Sequence, residues 1–149
     1  TAALLAVLSG CASTADSKEN SLTIERILTA PLTGIAGRDR VRAELAKNWG
    51  IDPSMAKYTN RIPRALADRH VISLLWLEPP PANFVFLGVA PEPCFSVQRA
   101  LALTQAKPHG GSRKMSAATY DAFKHGMLVS FTSTPDGKCV SAIHIEEYE

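Results

Sequence analysis

The spacing of apolar and polar residues changes several times along this chain, and each change marks an expected element. Val41, Leu45 and Trp49 recur at i, i+4 and i+8, which predicts a helix over Arg38–Asn48, and Gly50 is placed to end it. Before it, Leu22, Ile24, Ile27 and Leu28 alternate only partly, so Ser21–Thr29 reads as a first strand or a short helix. Thr33–Gly37 is a turn-rich join. Asp52-Pro53 has the form of an N-cap followed by proline at the first helical position, predicting a short helix towards Tyr58. Pro63 breaks that pattern, and a further turn is expected over Arg64–Asp68.

Two nearly unbroken apolar runs follow, Val71–Leu77 and Asn83–Ala90, read as neighbouring strands in the core of a sheet. Between them Pro79-Pro80-Pro81 favours polyproline II and excludes a strand. After Pro91-Glu92-Pro93, a helix is expected over Cys94–Gln105 with Val97, Ala100 and Leu101 inward. A basic, glycine-containing loop covers Lys107–Lys114. Ser116–Lys124 reads as a short helix, with Ser116 as cap, a Tyr120/Phe123 pair at i, i+3, and Gly126 beyond its end. Met127–Thr134 and Cys139–Glu147 alternate with period two around Pro135-Asp136-Gly137-Lys138, the signature of a hairpin. Its second arm places Cys139, Ser141, Ile143 and Ile145 on one face, with His144 and Glu146 on the other. The pattern as a whole predicts an α+β domain: an antiparallel sheet of about four strands with covering helices.

Composition narrows the class. The chain has 149 residues, 46% hydrophobic and 20% charged, enough for one domain with a sizeable core. These proportions exclude collagen, coiled coil and a multi-span membrane protein. Sixteen Lys and Arg against fourteen Asp and Glu give +2, too balanced to demand a nucleic-acid partner.

Residues 1–10 are uncharged and mostly apolar, too short to span a bilayer and fitting the apolar region of a secretory signal. Leu8-Ser9-Gly10-Cys11 resembles the lipobox of bacterial lipoproteins. The resemblance implies cleavage before Cys11, a diacylglycerol thioether on its sulfur, and an acylated new amino terminus. The missing Met and basic leader suggest that the precursor extends further forward. Residues 11–21 are small and polar and read as a flexible tether, leaving residues 22–149 as one domain. Ala12, where retained lipoproteins carry Asp, implies the periplasmic face of the outer membrane, held by two or more acyl chains.

With Cys11 lipidated, Cys94 and Cys139 are left, and an oxidising periplasm makes a disulfide between them the default. Chain-entropy reasoning gives an upper figure of about 4 kcal/mol for closing that loop. The competing reading is a catalytic thiol. Cys94 at a helix N-terminus would have a lowered pKa, and Cys94-Phe95-Ser96-Val97-Gln98 faintly resembles the cysteine turn of NlpC/P60 peptidoglycan peptidases. That likeness makes His144 the base. Two departures count against it: Pro-Cys-Phe-Ser replaces Asp-Cys-Ser-Gly, and only five residues follow His144.

Other chemistries find weaker footing. Glu44–Met55 resembles a helix-turn-helix through Ala46 and Gly50, and Arg38–Arg69 carries eight basic and four acidic residues. An exported lipoprotein meets no chromosome, so no nucleic-acid partner is expected. The histidines, His70, His109, His125 and His144, have no zinc-like spacing, and neither metal nor cofactor is expected. No Gly-x-Ser-x-Gly is present. A non-catalytic protein-binding module on a lipid tether remains, with two candidate loops: Pro79, Pro80 and Pro81, and His109 with Arg113 and Lys114. In format the chain resembles periplasmic immunity lipoproteins that inhibit cell-wall-attacking effectors. The rival binding reading is an envelope scaffold or assembly lipoprotein.

Overall fold

The computed structural model describes residues 21–52, 57–110 and 117–148. Cys11, the leader and the tether up to residue 20 lie outside this set, as do Arg113 and Lys114. Among the described residues the chain forms three α-helices and one antiparallel sheet of eight strands, so the α+β expectation holds and the strand number does not.

Helix α1 (Ile24–Thr29) resolves the ambiguous first segment as helix, because the Thr23 hydroxyl accepts from the Arg26 N–H at 3.1 Å and caps it. A 3-10 turn over Ala30–Thr33 leads into α2 (Ile35–Asn48), which starts three residues earlier than the periodicity suggested. The two pack so closely that a Cβ on Gly37 would lie 1.9 Å from the Ala30 carbonyl oxygen. Gly50, at φ +65°, closes α2 as expected. Most of the helix expected from Asp52-Pro53 falls on residues 53–56, outside the described set, and Tyr58 belongs to a strand.

Strands β1 (Tyr58–Asn60) and β2 (Arg64–Ala65) both pair with β3 (Val71–Leu77). β4 (Val85–Val89) follows, then α3 (Val97–Thr104), β5 (Lys107–Pro108), β6 (Thr119–Lys124), β7 (Met127–Ser133) and β8 (Val140–Glu147). The sheet order is β1-β3-β4-β8-β7-β6-β5, with β2 off that path. The four strands read from the sequence are β3, β4, β7 and β8. The others come from segments read as helix, turn and loop.

Three expectations are corrected. Where a helix was expected to Lys124, β6 turns instead into β7 through His125 and Gly126, with Lys124 paired to Met127. Both turn residues have positive φ, +50° and +73°, the geometry of a tight hairpin turn. Pro79-Pro80-Pro81 is no unbroken polyproline II run: residues 80–82 form a turn closed by the Asn83 N–H on the Pro79 carbonyl at 2.9 Å. Finally, a register shift at Ser141 pairs Ser133 with Val140 and Thr132 with Ala142. This bulge turns Val140 inward with Ile143 and Ile145, in the place expected for Ser141.

All the helices of the described residues lie on one face of the sheet. Leu75, Leu87, Ile143 and Phe131 form one cross-strand row there; Leu77, Val85, Ile145 and Val129 form the next. Leu22, Ile27 and Leu28 of the α1 region, Val41 and Leu45 of α2, and Val97 and Ala100 of α3 close over these rows. Fully burying each such Val, Leu or Ile side chain contributes about 1.5–3 kcal/mol. Among the described residues no helix is long and apolar enough to cross a membrane.

The Cys94–Cys139 disulfide is formed, with Cα atoms 5.3 Å apart. Backbone bonds fix this corner from both sides: Val97 N–H to Lys138 O at 2.9 Å and Val140 N–H to Phe95 O at 2.8 Å.

Candidate functional site

Among the described residues no helix covers the opposite face of the sheet, and the side chains that reach it form a second set of rows. Strand register places Trp76, Phe86, His144, Ser130 and Asp121 side by side across five strands, with Lys107 following at the edge. This central row is aromatic at its β3–β4 end and polar at its β7–β6 end. The adjacent row, Gly88, Ala142, Thr132 and Thr119, is made of small side chains. Gly88 is required there: a Cβ would lie 2.9 Å from Ser73 Oγ and 3.1 Å from the Leu74 Cβ, where β3 is irregular.

Small residues beside larger ones leave a hollow of about 360 Å³ on the open face. Phe86, Phe123 and Tyr148 supply its aromatic walls, Asp121 and Glu146 its carboxylates. Phe123 and Tyr148 meet edge to face at 5.0 Å, and each is more than half exposed, at 57% and 59%. On the other side Trp76 and Phe84 meet at 5.1 Å, and Phe84 lies 5.2 Å from the His144 ring. One exposed aromatic pair thus lines the hollow, and a second, with Trp76 exposed and Phe84 half-buried, lies beside it.

Each carboxylate in the hollow is held by an imidazole. Asp121 Oδ2 faces His109 Nδ1, and Asp121 Oδ1 accepts from the Ser130 hydroxyl at 2.6 Å. Glu146 Oε2 lies 3.1 Å from His144 Nε2. A carboxylate can only accept, so the facing ring nitrogens carry the protons. The order Ser130–Asp121–His109 sets a carboxylate next to the hydroxyl. A nucleophilic triad needs the imidazole in that position.

Beyond the aromatic end, Glu78 takes the Trp76 indole N–H on Oε2 at 2.7 Å and faces Lys57 Nζ at 3.3 Å. The Trp76 bond, then the Lys57 contacts, hold the Glu78 carboxyl below the usual glutamate range despite some opposing desolvation. From α2, Arg42 donates to the Glu78 carbonyl at 3.0 Å, tying down the base of the proline loop.

The described parts of the two loops expected to bind a partner lie at separate places on the sheet. Pro80 and Pro81 are exposed at the turn from β3 to β4. His109 lies beside Thr119 beyond β5, with β4, β8, β7 and β6 between the two loops. His109 enters the hollow through Asp121, whereas the proline turn lies outside it. Cys94 does not begin a helix, since α3 starts at Val97 with the Ser96 hydroxyl as its cap. Its sulfur is bonded to Cys139, which leaves no thiolate for the peptidase chemistry, and His144 faces Glu146 on the open side. Nor is Arg38–Arg69 one solvated basic face. Arg38 is buried against Asp39 and Glu147, and Arg42 holds carbonyls. Among the described residues no group of His, Cys, Asp and Glu is arranged to hold a metal ion.

Sequence reasoning missed the open face itself. Its members are scattered from residue 76 to residue 148, and nothing short of the strand register brings them together. Comparison of the chain with known protein families, with curated proteins and with solved structures returns no match.

Proposed function

We propose that this chain is a lipid-anchored, non-catalytic protein-binding module whose recognition surface is the open face of its sheet. The observation that carries the reading is the set of exposed aromatics, Trp76, Phe123 and Tyr148, at and beside a hollow on paired strands that also holds two carboxylates. Exposed aromatic clusters are costly to solubility and mark contact surfaces, and buried aromatic anchors carry most of the energy of protein interfaces. Strands fixed by hydrogen bonds and a disulfide lose little entropy when a partner docks.

The tether reading rests on Leu8-Ser9-Gly10-Cys11, which would hold the domain at the periplasmic face of the outer membrane. In that setting the specific function is an immunity protein or inhibitor against a cell-wall-attacking effector. What supports this is the format: a lipid anchor, a short leash and a stapled domain with one free recognition face.

Site-specific photo-crosslinking in the native bacterium tests the proposal. Photoreactive residues at positions 76, 123 and 148 are expected to give an adduct with the same partner, and one at Lys47 on α2 none. Absence of adducts from all three open-face positions overturns the reading. A wall hydrolase in the adduct supports immunity, and a resident envelope machine favours the scaffold reading.

A further inference from the structure

We propose that the hollow on the open face is a socket for an arginine side chain of the partner protein, its guanidinium set between Asp121 and Glu146. This rests on the reading of the open face as the partner surface. The hollow combines the two features that a guanidinium uses at once. Phe86, Phe123 and Tyr148 offer ring faces and edges for its flat cation and alkyl stem. Asp121 and Glu146 offer acceptors, and neither is saturated among the described residues. A carboxylate has about four lone-pair positions. Asp121 spends two on His109 and Ser130, and Glu146 one on His144.

Charge complementarity selects a cation. Asp121 and Glu146 bring two carboxylates to the hollow, on a chain whose net charge is +2. Lys107 stands opposite Asp121 at the sheet edge, but it does not line the hollow. The imidazoles act as positioning groups that keep each carboxylate turned into the cavity. Arginine suits the site better than lysine, because a planar fork can engage two acceptors while stacking on rings, and it desolvates at lower cost. A hollow of about 360 Å³ has room for such a side chain.

The test uses the full 149-residue chain carrying Cys11→Ser, isotope-labelled, titrated with the peptide acetyl-Gly-Arg-Gly-amide and followed by amide chemical shifts. Shifts are expected in β6, β7 and β8 with a dissociation constant in the ~1–10 mM range. The citrulline peptide, isosteric but uncharged, is expected to bind at least ~10-fold more weakly. Asp121→Asn and Glu146→Gln should each weaken the arginine peptide ~5-fold or more, while Lys47→Gln, on α2 away from the hollow, should stay within ~2-fold. A spectrum otherwise superimposable on the parent shows that each variant is folded. Equal binding of the citrulline peptide overturns the socket, as do shifts away from β6–β8 or unchanged affinity in both carboxylate variants. If crosslinks at positions 76, 123 and 148 persist while arginine binding fails, the socket falls and the partner surface stands. Arginine binding without any crosslink rejects the partner surface.

Discussion

The indole N–H of Trp76 donates to the carboxylate of Glu78 at 2.7 Å, joining an exposed aromatic of the open face to the loop that leaves it. The bond favours the charged carboxylate, so the folded-state pKa of Glu78 lies below its unfolded value. Such a group adds stability above the unfolded value and loses it as pH falls through the folded value. Trp76 emission is therefore expected to change on acidification below the ordinary glutamate range, and Glu78→Gln to abolish that transition. Trp49 is buried and supplies a constant background. An unaltered titration in Glu78→Gln would show that the bond does not exist in solution.

Replacing both Cys94 and Cys139 by Ser is expected to lower the unfolding free energy by up to about 4 kcal/mol. Urea denaturation of the parent with and without reductant should show the same displacement. Identical midpoints in all samples would contradict the bridge.

Gly37→Ala is expected to destabilise at or beyond the upper end of the about 1–3 kcal/mol typical of overpacking. The colliding atom is the backbone oxygen of Ala30, 1.9 Å away, which no rotamer change can move. Calorimetry decides it, with Gly110→Ala, where nothing lies within 4 Å, as the neutral comparison.

For the anchor, Cys11→Ser should release the chain from the membrane fraction into the soluble periplasm. The mass of the mature parent should begin at Cys11 and include its acyl groups. A parent that is itself soluble, with an unmodified Cys11, would remove the tether.

Much of the fold was legible because its segments have one local answer. Val71–Leu77 is too apolar and β-branched to be anything but an interior strand, and Met127–Ser133 alternates cleanly. Strand β6 was misread for a definable reason. Gly126 in a left-handed conformation fits the end of a helix as well as the second position of a tight hairpin turn, and Tyr120 and Phe123 satisfy i, i+3 spacing. Cross-strand pairing to β7 settled it, with Tyr120 and Ala122 facing the core and Asp121 and Phe123 facing out. Strands β1, β2 and β5 have three residues or fewer and carry no period to read.

The candidate site was legible only in fragments. His109 was singled out as a loop residue and His144 as a solvent-side residue. Asp121, which binds His109, sat inside a segment expected to be helical. The bulge at Ser141 is likewise invisible to a period-two pattern, yet it sets which residues of β8 face inward at its start.

The disulfide divides the hollow in a way that its position at a corner of the domain conceals. His109, Asp121, Phe123, Leu128 and Ser130 all lie within the covalent ring closed by Cys94 and Cys139; Phe86, Ala142, His144, Glu146 and Tyr148 lie outside it. The cavity is therefore a seam between a cyclic and a linear part of one polymer, running along the β7–β8 pairing. Before oxidation both walls belong to one open chain. Afterwards the β6–β7 wall lies in a closed circle that the linear wall must register against, so the oxidation that forms the bridge also encloses one side of the hollow.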